Sequence, residues 1–448
     1  MEATYITLKY LSSVNPKILL IGTNRWPLLA RLVISFRRIG CNIAVLCPAP
    51  GHPVQKVRGV GHIFDYSGLA PIKSLRRTIE IFDPELIVPS CDRSVQHLHE
   101  LYEISQSQGN AGRKIAALIQ RSLGLPDGFA IVSSRSELLK IAQSEGILVP
   151  KTSTIESEAD LQLWNAKSEP PWVIKANGTW GGQGVRIAEN AREANRCFLE
   201  FSQDPGAINL IKRLLLNRDR DWVVFDWKHS RRSVIAQSLI KGRPANCAVV
   251  CWEGKVLAGI AVEVIKSRGE TGPATVVQIV SGSEMMEAAE KIARRLGMSG
   301  FFGLDFMIER GTGSVYLIEM NPRCTPPCSL PLGKGQNLVA AIWAQLTGQL
   351  LPGNLPAIEE RSIAYFPQAD EGPDNSSDGN LDVLIYRDIP EGEPELIHEL
   401  LHPRSGRSII GKMIDVAWRK PNHENQRITY LMDEEQASPK KRCTVELD

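Results

Sequence analysis

The sequence predicts an α/β fold over about its first 110 residues and a mixed α+β fold over residues 151–352. Before residue 110, short apolar runs alternate with helical patterns, which is typical of a parallel sheet. From residue 151 onward, short β runs are separated by glycine-rich turns. The length of 448 residues, with 43% apolar and 23% charged residues, suits roughly two to three globular domains with real cores.

The N-terminal pattern reads strand, helix, strand. "KILLIG" is followed by a helical segment and then by "CNIAVLCP", and Gly40 stands where the helix should end. "PELIVPSCD" predicts a short buried strand before the helical "SVQHLHELYEI". The G-x-G-x-x-G spacing of a dinucleotide site is absent after the first strand. Residues 1–110 are therefore predicted to form a parallel α/β domain without a dinucleotide site.

The remaining segments follow in order. Residues 111–150 read as helical, and Ser134 caps a helix with Glu137 three residues on. Residues 151–352 form the mixed domain. Residues 353–448 have less pattern and end in a polar tail.

Charge and composition restrict the class of protein. Lys plus Arg is 52 against 50 for Asp plus Glu, so no basic footprint for nucleic acid is expected. No window has the ~18 consecutive apolar residues of a membrane span, and the N-terminus does not resemble a secretory signal. Nine cysteines favour reduced thiols, so a cytoplasmic location is expected.

A predicted hairpin, "GFFGLDFMIERGTGSVYLIEMNPR", carries the first chemical signal. If its turn centres on Thr312, Asp305 lies opposite Glu319. Alternation along a strand then places Leu317, Glu319 and Asn321 on one face, with Arg323 two residues further on.

Two carboxylates and an amide are oxygen ligands that suit Mg²⁺ bound together with substrate phosphates. The plainer alternative is a salt-bridged surface hairpin, which does not explain why an Asn joins two acids. A zinc site built from the C-x3-C pairs Cys247/Cys251 and Cys324/Cys328 is the weaker alternative, because buried free cysteine is a common small hydrophobe.

A second signal is "WVIKANGTWGGQGVRIA", an apolar strand that ends near Lys175 and continues into a glycine-rich loop. Glycines allow backbone N–H groups to turn toward phosphates, and a lysine adds positive charge. No G-K-[ST] follows, which excludes a Walker P-loop. The loop glycines are Gly178, Gly181, Gly182 and Gly184.

In the order of these motifs, together with "EGILVPKT" and "SVIAQSLIKGRPAN", the sequence resembles the ATP-grasp superfamily over residues 134–350. The nearest likeness is to its carbamoyl-phosphate-synthetase-like branch, which includes biotin carboxylase and amino acid ligases. The resemblance implies a Rossmann-like pre-ATP-grasp domain followed by an ATP-grasp fold, with ATP held between two α+β subdomains.

The resemblance also implies a role for individual residues. Asp305, Glu319 and Asn321 match the magnesium ligands, for two Mg²⁺ ions with Mn²⁺ as an alternative. Arg323 matches the arginine that contacts the phosphoryl group or acyl phosphate. Lys175 and the glycines match the phosphate-binding loop. Arg135, with Lys140 close by, matches the first Lys or Arg that binds the nucleotide phosphates. The hinge that holds adenine corresponds to Gln237, Ser238, Leu239 and Ile240.

Two positions depart from the superfamily pattern. Ser238 and Pro244 stand where relatives carry Glu, so ribose recognition falls to Glu263 or Asn246, between which the sequence does not choose.

The implied activity is MgATP-dependent conversion of a carboxylate to an acyl phosphate, with ADP release and attack by an amine, such as that of an amino acid. The alternatives are bicarbonate phosphorylation of the carbamoyl-phosphate synthetase or biotin carboxylase type, and an ATP-binding regulator without turnover. Small carboxylates and amines are the expected partners. By analogy alone, a homodimer is compatible with the resemblance.

Overall fold

Three β-sheets and the helices packed on them make up the described part of the chain. In this computed structural model, that part comprises residues 15–48, 51–176, 184–202, 234–269, 272–350, 357–370 and 385–402. The unit that contains them ends at residue 404, and the second unit, residues 405–448, lies outside the described residues.

The N-terminal sheet is parallel, with strand order β3-β2-β1-β4. Alternate residues of β1 enter two different cores, as Ile18 and Leu19 do, which explains its uninterrupted apolar sequence. The predicted parallel α/β sheet is confirmed. Its elements are β1 Lys17–Ile21, α1 Leu28–Arg38, β2 Asn42–Cys47, β3 His62–Asp65, α2 Pro71–Phe82, β4 Leu86–Pro89 and α3 Asp92–Gln106.

The helices predicted between residues 111 and 150 are present as α4 Gly109–Leu123, α5 Phe129–Val132 and α6 Arg135–Ser144. The Ser134 hydroxyl accepts a hydrogen bond from the Glu137 backbone N–H at 3.4 Å, which fixes the start of α6. Arg135 is therefore the first residue of that helix.

The second sheet is antiparallel, in the order β5-β8-β6-β7. Helices α7 and α8 cover it through a core that contains Trp164, Trp172 and Phe198. The elements are β5 Thr152–Ile155, α7 Glu158–Lys167, β6 Trp172–Ala176, β7 Val185–Ala188, α8 Ala191–Ser202 and β8 Val234–Ser238.

The third sheet has seven strands, in the order β13-β12-β9-β10-β11-β14-β15. Alternate residues of β9 face two cores: Cys247 and Val249 face one, whereas Ala248 and Val250 face the core shared with the N-terminal sheet. The elements are β9 Gly242–Trp252, β10 Lys255–Ser267, β11 Ala274–Val280, α9 Ser283–Leu296, β12 Gly300–Glu309, β13 Val315–Asn321, α10 Leu338–Thr347, β14 Ser362–Ala364, β15 Ile385–Arg387 and α11 Pro394–Leu401.

The last three elements fall in the segment that the sequence predicted to have little pattern. β14 pairs with β11, β15 pairs with β14, and Leu396 of α11 joins the core shared with the N-terminal sheet. Residues 371–384 and 403–448, which include the predicted loop and tail, lie outside the described residues. No helix within the described ranges is long and apolar enough to cross a membrane.

Candidate active site

The β12–β13 hairpin brings the predicted metal ligands together. Asp305 pairs directly with Glu319, as the sequence predicted, and Gly303 pairs with Asn321. On the neighbouring strand β9, Asn246 pairs with Asp305, so the row Asn246–Asp305–Glu319 crosses three strands.

The predicted position of Leu317 is wrong. After Asp305–Glu319 the register shifts, and Phe306 pairs with Leu317 instead of with Ile318. The extra residue on β13 turns Leu317 into the core with Phe306, whereas Glu319 stays on the site face.

Asn321 links a carboxylate to a guanidinium. Its Nδ2 donates to Asp305 Oδ2 at 2.9 Å, and its Oδ1 accepts from Arg323 Nη2 at 3.0 Å. With the amide turned over, its NH₂ group would face the N–H of Arg323 and its oxygen would face the carboxylate of Asp305. These two neighbours therefore determine the orientation of the amide.

Arg323 has further contacts that the sequence did not predict. Its Nε donates to Asp92 Oδ2 at 2.9 Å, its Nη1 donates to the Cys324 carbonyl at 3.1 Å, and its guanidinium lies over the Trp26 ring at 5.3 Å. Burial lowers the pKa of Arg323, but the Asp92 carboxylate outweighs this and raises the pKa above its ordinary value. Arg323 is a firmly paired cation.

On the other side, Arg135 connects β6 with β13. Its Nε lies 3.1 Å from Glu319 Oε2, and its Nη1 donates to the Ala176 carbonyl at 3.3 Å. Lys140 is 71% exposed and forms an ion pair with Glu137. The geometry therefore favours Arg135 over Lys140 as the positively charged residue at this site.

Lys175 is buried, with 5% of its surface exposed. Burial lowers its pKa to about 8; Glu319 and Asp305 act to raise the pKa, and Arg135 acts to lower it further. Lys175, Glu319, Asp305 and Arg135 thus form one electrostatic cluster.

The two carboxylates differ in pKa although they are neighbours. Burial, followed by the charge of Glu319, raises the pKa of Asp305 to about 7. Burial also acts to raise the pKa of Glu319, but Arg135, Lys175 and Arg323 outweigh it and hold that pKa below its usual value. A pair of neighbouring carboxylates is a ligand set that Mg²⁺ commonly uses in proteins.

The glycine-rich loop is only partly within the described residues. Gly184 is buried, and its carbonyl accepts from the Ala176 N–H at 2.8 Å, which closes the β6–β7 hairpin. Gly178, Gly181 and Gly182 lie outside the described residues.

The hinge follows β8. Gln237 is buried and its Nε2 donates to Thr152 Oγ1 at 3.1 Å. The N–H groups of Ser238 and Leu239 donate to the carbonyls of Lys151 and Pro171, and Ile240 follows them, half-buried. The side chain of Gln237 therefore belongs to the sheet, and the next two residues are held by backbone hydrogen bonds.

The cysteine pairs are in the hydrophobic cores. Cys247, Cys251, Cys324 and Cys328 are all buried, and the described residues contain no group of three or more His, Cys, Asp or Glu placed to hold a metal. Within the described ranges, nothing supports the zinc alternative.

Comparison with known proteins agrees with this architecture. The family described as an ATP-grasp domain matches residues 217–327. The carbamoyl phosphate synthase large chain of Xylella fastidiosa is 28% identical over 265 residues, which cover 52% of this chain and 22% of that one. This chain thus spans about a fifth of the length of the curated relatives it matches.

Solved structures show the same fold. N5-carboxyaminoimidazole synthetase from Staphylococcus aureus, complexed with ADP, is 15% identical, with a TM-score of 0.52 over 76% of this chain and 81% of that one. The biotin carboxylase domain of Hydrogenobacter thermophilus 2-oxoglutarate carboxylase, with MgADP and bicarbonate, is 14% identical, with a TM-score of 0.54 over 78% and 73%.

By sequence over residues 217–327, and by its fold, the chain is similar to ATP-grasp proteins. Its fold class, an α/β domain followed by an ATP-grasp fold, is as the sequence predicted.

The two ribose candidates have different surroundings. Both carboxylate oxygens of Glu263 accept from Arg243, one from Nε at 2.9 Å and the other from Nη2 at 3.3 Å. Asn246 lies beside Asp305 in the row that crosses three strands.

The donor set fits Mg²⁺. The described contacts use one oxygen of Asp305 and one of Glu319, which leaves a second oxygen on each for a cation. Asn321 Oδ1 is bound to Arg323, so it would reach a cation only after its amide turns.

Proposed function

We propose that this protein uses MgATP to convert a carboxylate into an acyl phosphate, releasing ADP, for attack by an amine. The observation that supports this best is the continuous cluster at the hairpin: two carboxylates and an amide lie between Arg323 on one side and Arg135 with Lys175 on the other. Phosphoryl transfer requires this combination of cation ligands and fixed positive charge.

In this proposal each residue has a distinct task. Asp305, Glu319 and Asn321 would hold Mg²⁺, which when bound neutralises the phosphate oxygens. Lys175, Arg135, Gly181, Gly182 and Gly184 would contact the phosphates, and the backbone at Gln237, Ser238, Leu239 and Ile240 would border adenine. Arg323 would hold the carboxylate and then the acyl phosphate with its remaining N–H groups.

The reaction balances without a covalent enzyme intermediate. A carboxylate oxygen forms a bond to the γ-phosphorus as the bond to the β,γ-bridging oxygen breaks, and ADP leaves. The amine then bonds to the acyl carbon, phosphate leaves with the electrons of the broken C–O bond, and a proton from the amine passes to solvent or phosphate. Fixed charge and alignment are the protein's contribution.

Bicarbonate is the second candidate for the carboxylate. The biotin carboxylase domain that shares this fold was solved with MgADP and bicarbonate. The proposal that the amine is an amino acid rests on the range of substrates within the ATP-grasp superfamily.

The test measures ADP and phosphate release from MgATP with a panel of carboxylates, bicarbonate included, each with mixed amino acids. The wild type should release ADP with one of the acids, and Glu319→Gln should not, while both bind ATP. Glu309→Gln is the matched control, because Glu309 lies on the same hairpin and accepts a hydrogen bond from Thr312 at 2.6 Å.

Turnover in Glu319→Gln equal to that of the wild type would contradict the metal assignment. AMP and pyrophosphate as products would contradict the acyl-phosphate chemistry. ATP binding with no release of ADP for any acid would favour the regulator.

A further inference from the structure

Arg323 is held from two sides. On the hairpin side, Nη2 donates to Asn321 and Nη1 to the Cys324 carbonyl. On the other side, Nε donates to Asp92 Oδ2, and the guanidinium lies over the Trp26 ring. These contacts within the described residues use three of the five guanidinium N–H donors and leave one on each Nη.

Asp92 and Trp26 both come from the N-terminal sheet. Asp92 is the first residue of α3 and comes three residues after Pro89, the end of β4. Trp26 lies between β1 and α1. Both therefore lie at the carboxyl edge of a parallel sheet, the edge at which such folds bind ligands. The N-terminus of a helix also favours a carboxylate at Asp92.

Asp92 competes with the site carboxylates for Arg323. Asp305 also attracts the guanidinium, but the nearer Asp92 acts on it more strongly. If Asp92 lost its charge, Arg323 would be drawn toward Asp305 and would occupy the carboxylate that is to hold the cation. Asp92 thus keeps the cation ligand and the guanidinium apart.

We infer that Asp92 is a positioning residue for Arg323, and that the N-terminal sheet thereby completes the site that holds the acyl phosphate. This inference rests on the proposed function, because it takes Arg323 to be the group that meets the carboxylate. Its consequence is that loss of the Asp92 charge weakens acyl-phosphate binding and leaves ADP binding, which belongs to the other side of the cluster, nearly unchanged.

The experiment uses acetyl phosphate as the probe and Trp26 as the reporter. The fluorescence emission of Trp26 is obtained by subtracting the emission of the Trp26→Phe variant from that of the full chain, with both proteins saturated with MgADP. Acetyl phosphate should change that emission in the wild type, because Arg323 lies over the ring. Asp92→Asn should weaken the apparent affinity at least tenfold and leave the affinity for ADP without a divalent cation, measured by calorimetry, within about twofold.

Two further variants complete the test. Asp92→Glu keeps the charge and should restore part of the acetyl phosphate affinity, and it serves also if Asp92→Asn does not fold. Glu395→Gln is the matched control: its carboxylate is 70% exposed and forms an ion pair with Lys56 of the N-terminal region, far along the chain from Asp92. It should behave as wild type.

Equal acetyl phosphate affinities in the wild type and Asp92→Asn would overturn the inference, and so would a wild-type emission that acetyl phosphate leaves unchanged. The proposed function is tested by a different experiment, and it would be contradicted if no acid in the panel supported ADP release. The fluorescence measurement does not depend on turnover, so the two failures can be told apart.

Discussion

At the scale of single residues, Arg135 and Lys140 lie on one helix five positions apart and have opposite surroundings. Arg135 contacts Glu319 and the Ala176 carbonyl, whereas Lys140 extends into solvent beside Glu137. Arg135→Gln should lower the rate of ADP release roughly 10- to 100-fold, because a hydrogen bond to a charged group is worth about 1.5–3 kcal/mol. Lys140→Gln should leave the rate unchanged. Equal rates for the two variants would show that Arg135 does not act on the phosphates.

The raised pKa of Asp305 predicts a pH-dependent affinity for divalent cations. Below its pKa of about 7 the carboxyl is protonated, and a cation must displace that proton. Affinity for Mn²⁺, measured by calorimetry with ADP present, should therefore rise with pH from 6 to 8 and approach a plateau above 7. Asp305→Asn should bind weakly and lose most of this dependence. A wild-type affinity that does not change over this range would contradict the prediction.

The residues that the sequence located are those within one hairpin. Two-residue alternation and a glycine turn are local signals, so they placed Asp305 opposite Glu319. They did not reveal the extra residue that turns Leu317 into the core. The contact between Asp92 and Arg323 spans 231 residues and depends on how two sheets pack, which no local pattern encodes.

At the scale of secondary structure elements, α3 packs on α5 through a histidine. His99 stacks on Phe129 with ring centroids 4.1 Å apart, and burial lowers its pKa to about 4. The unfolded chain takes up a proton near pH 6.5 and the folded chain does not. The free energy of unfolding should therefore decrease as pH falls from 6.5 to 4, by up to about 1.4 kcal/mol per pH unit from this residue.

Urea denaturation at pH 5 and pH 7 measures this effect. His99→Leu should show a smaller difference between the two pH values than the wild type. His398→Leu, which changes an exposed histidine on α11, is the control and should match the wild type. An unchanged difference in His99→Leu would mean that His99 does not carry the effect.

Elements with a continuous apolar run or a clear period were predicted, and elements with neither were not. Strands β1 and β4 have continuous apolar runs, whereas α1 and the hairpin have a periodic signal. β14 and β15 have three residues each, too few for any period, and the pairing of β14 with β11 and of β15 with β14 depends on tertiary contacts.

At the scale of the whole described unit, the C-terminal elements β14, β15 and α11 connect the N-terminal sheet to the seven-stranded sheet. One core contains Ile18 of β1, Ile260 of β10 and Leu396 of α11. At its border, Glu393 is 2% exposed, contacts Arg37 Nη2 at 2.5 Å and accepts from the Arg58 backbone N–H at 2.8 Å. Because a single core spans these elements, they should unfold together.

Glu393→Gln should therefore destabilise the unit as a whole. The buried carboxylate loses its charge while Arg37 keeps its own, which should lower the free energy of unfolding by about 2 kcal/mol. Glu395→Gln, two residues away, removes an exposed ion pair with Lys56 and should cost no more than about 1 kcal/mol. Urea denaturation followed by fluorescence and by circular dichroism should give coincident single transitions for both. Separate transitions, or equal losses in the two variants, would show that the C-terminal elements do not hold the N-terminal sheet in place.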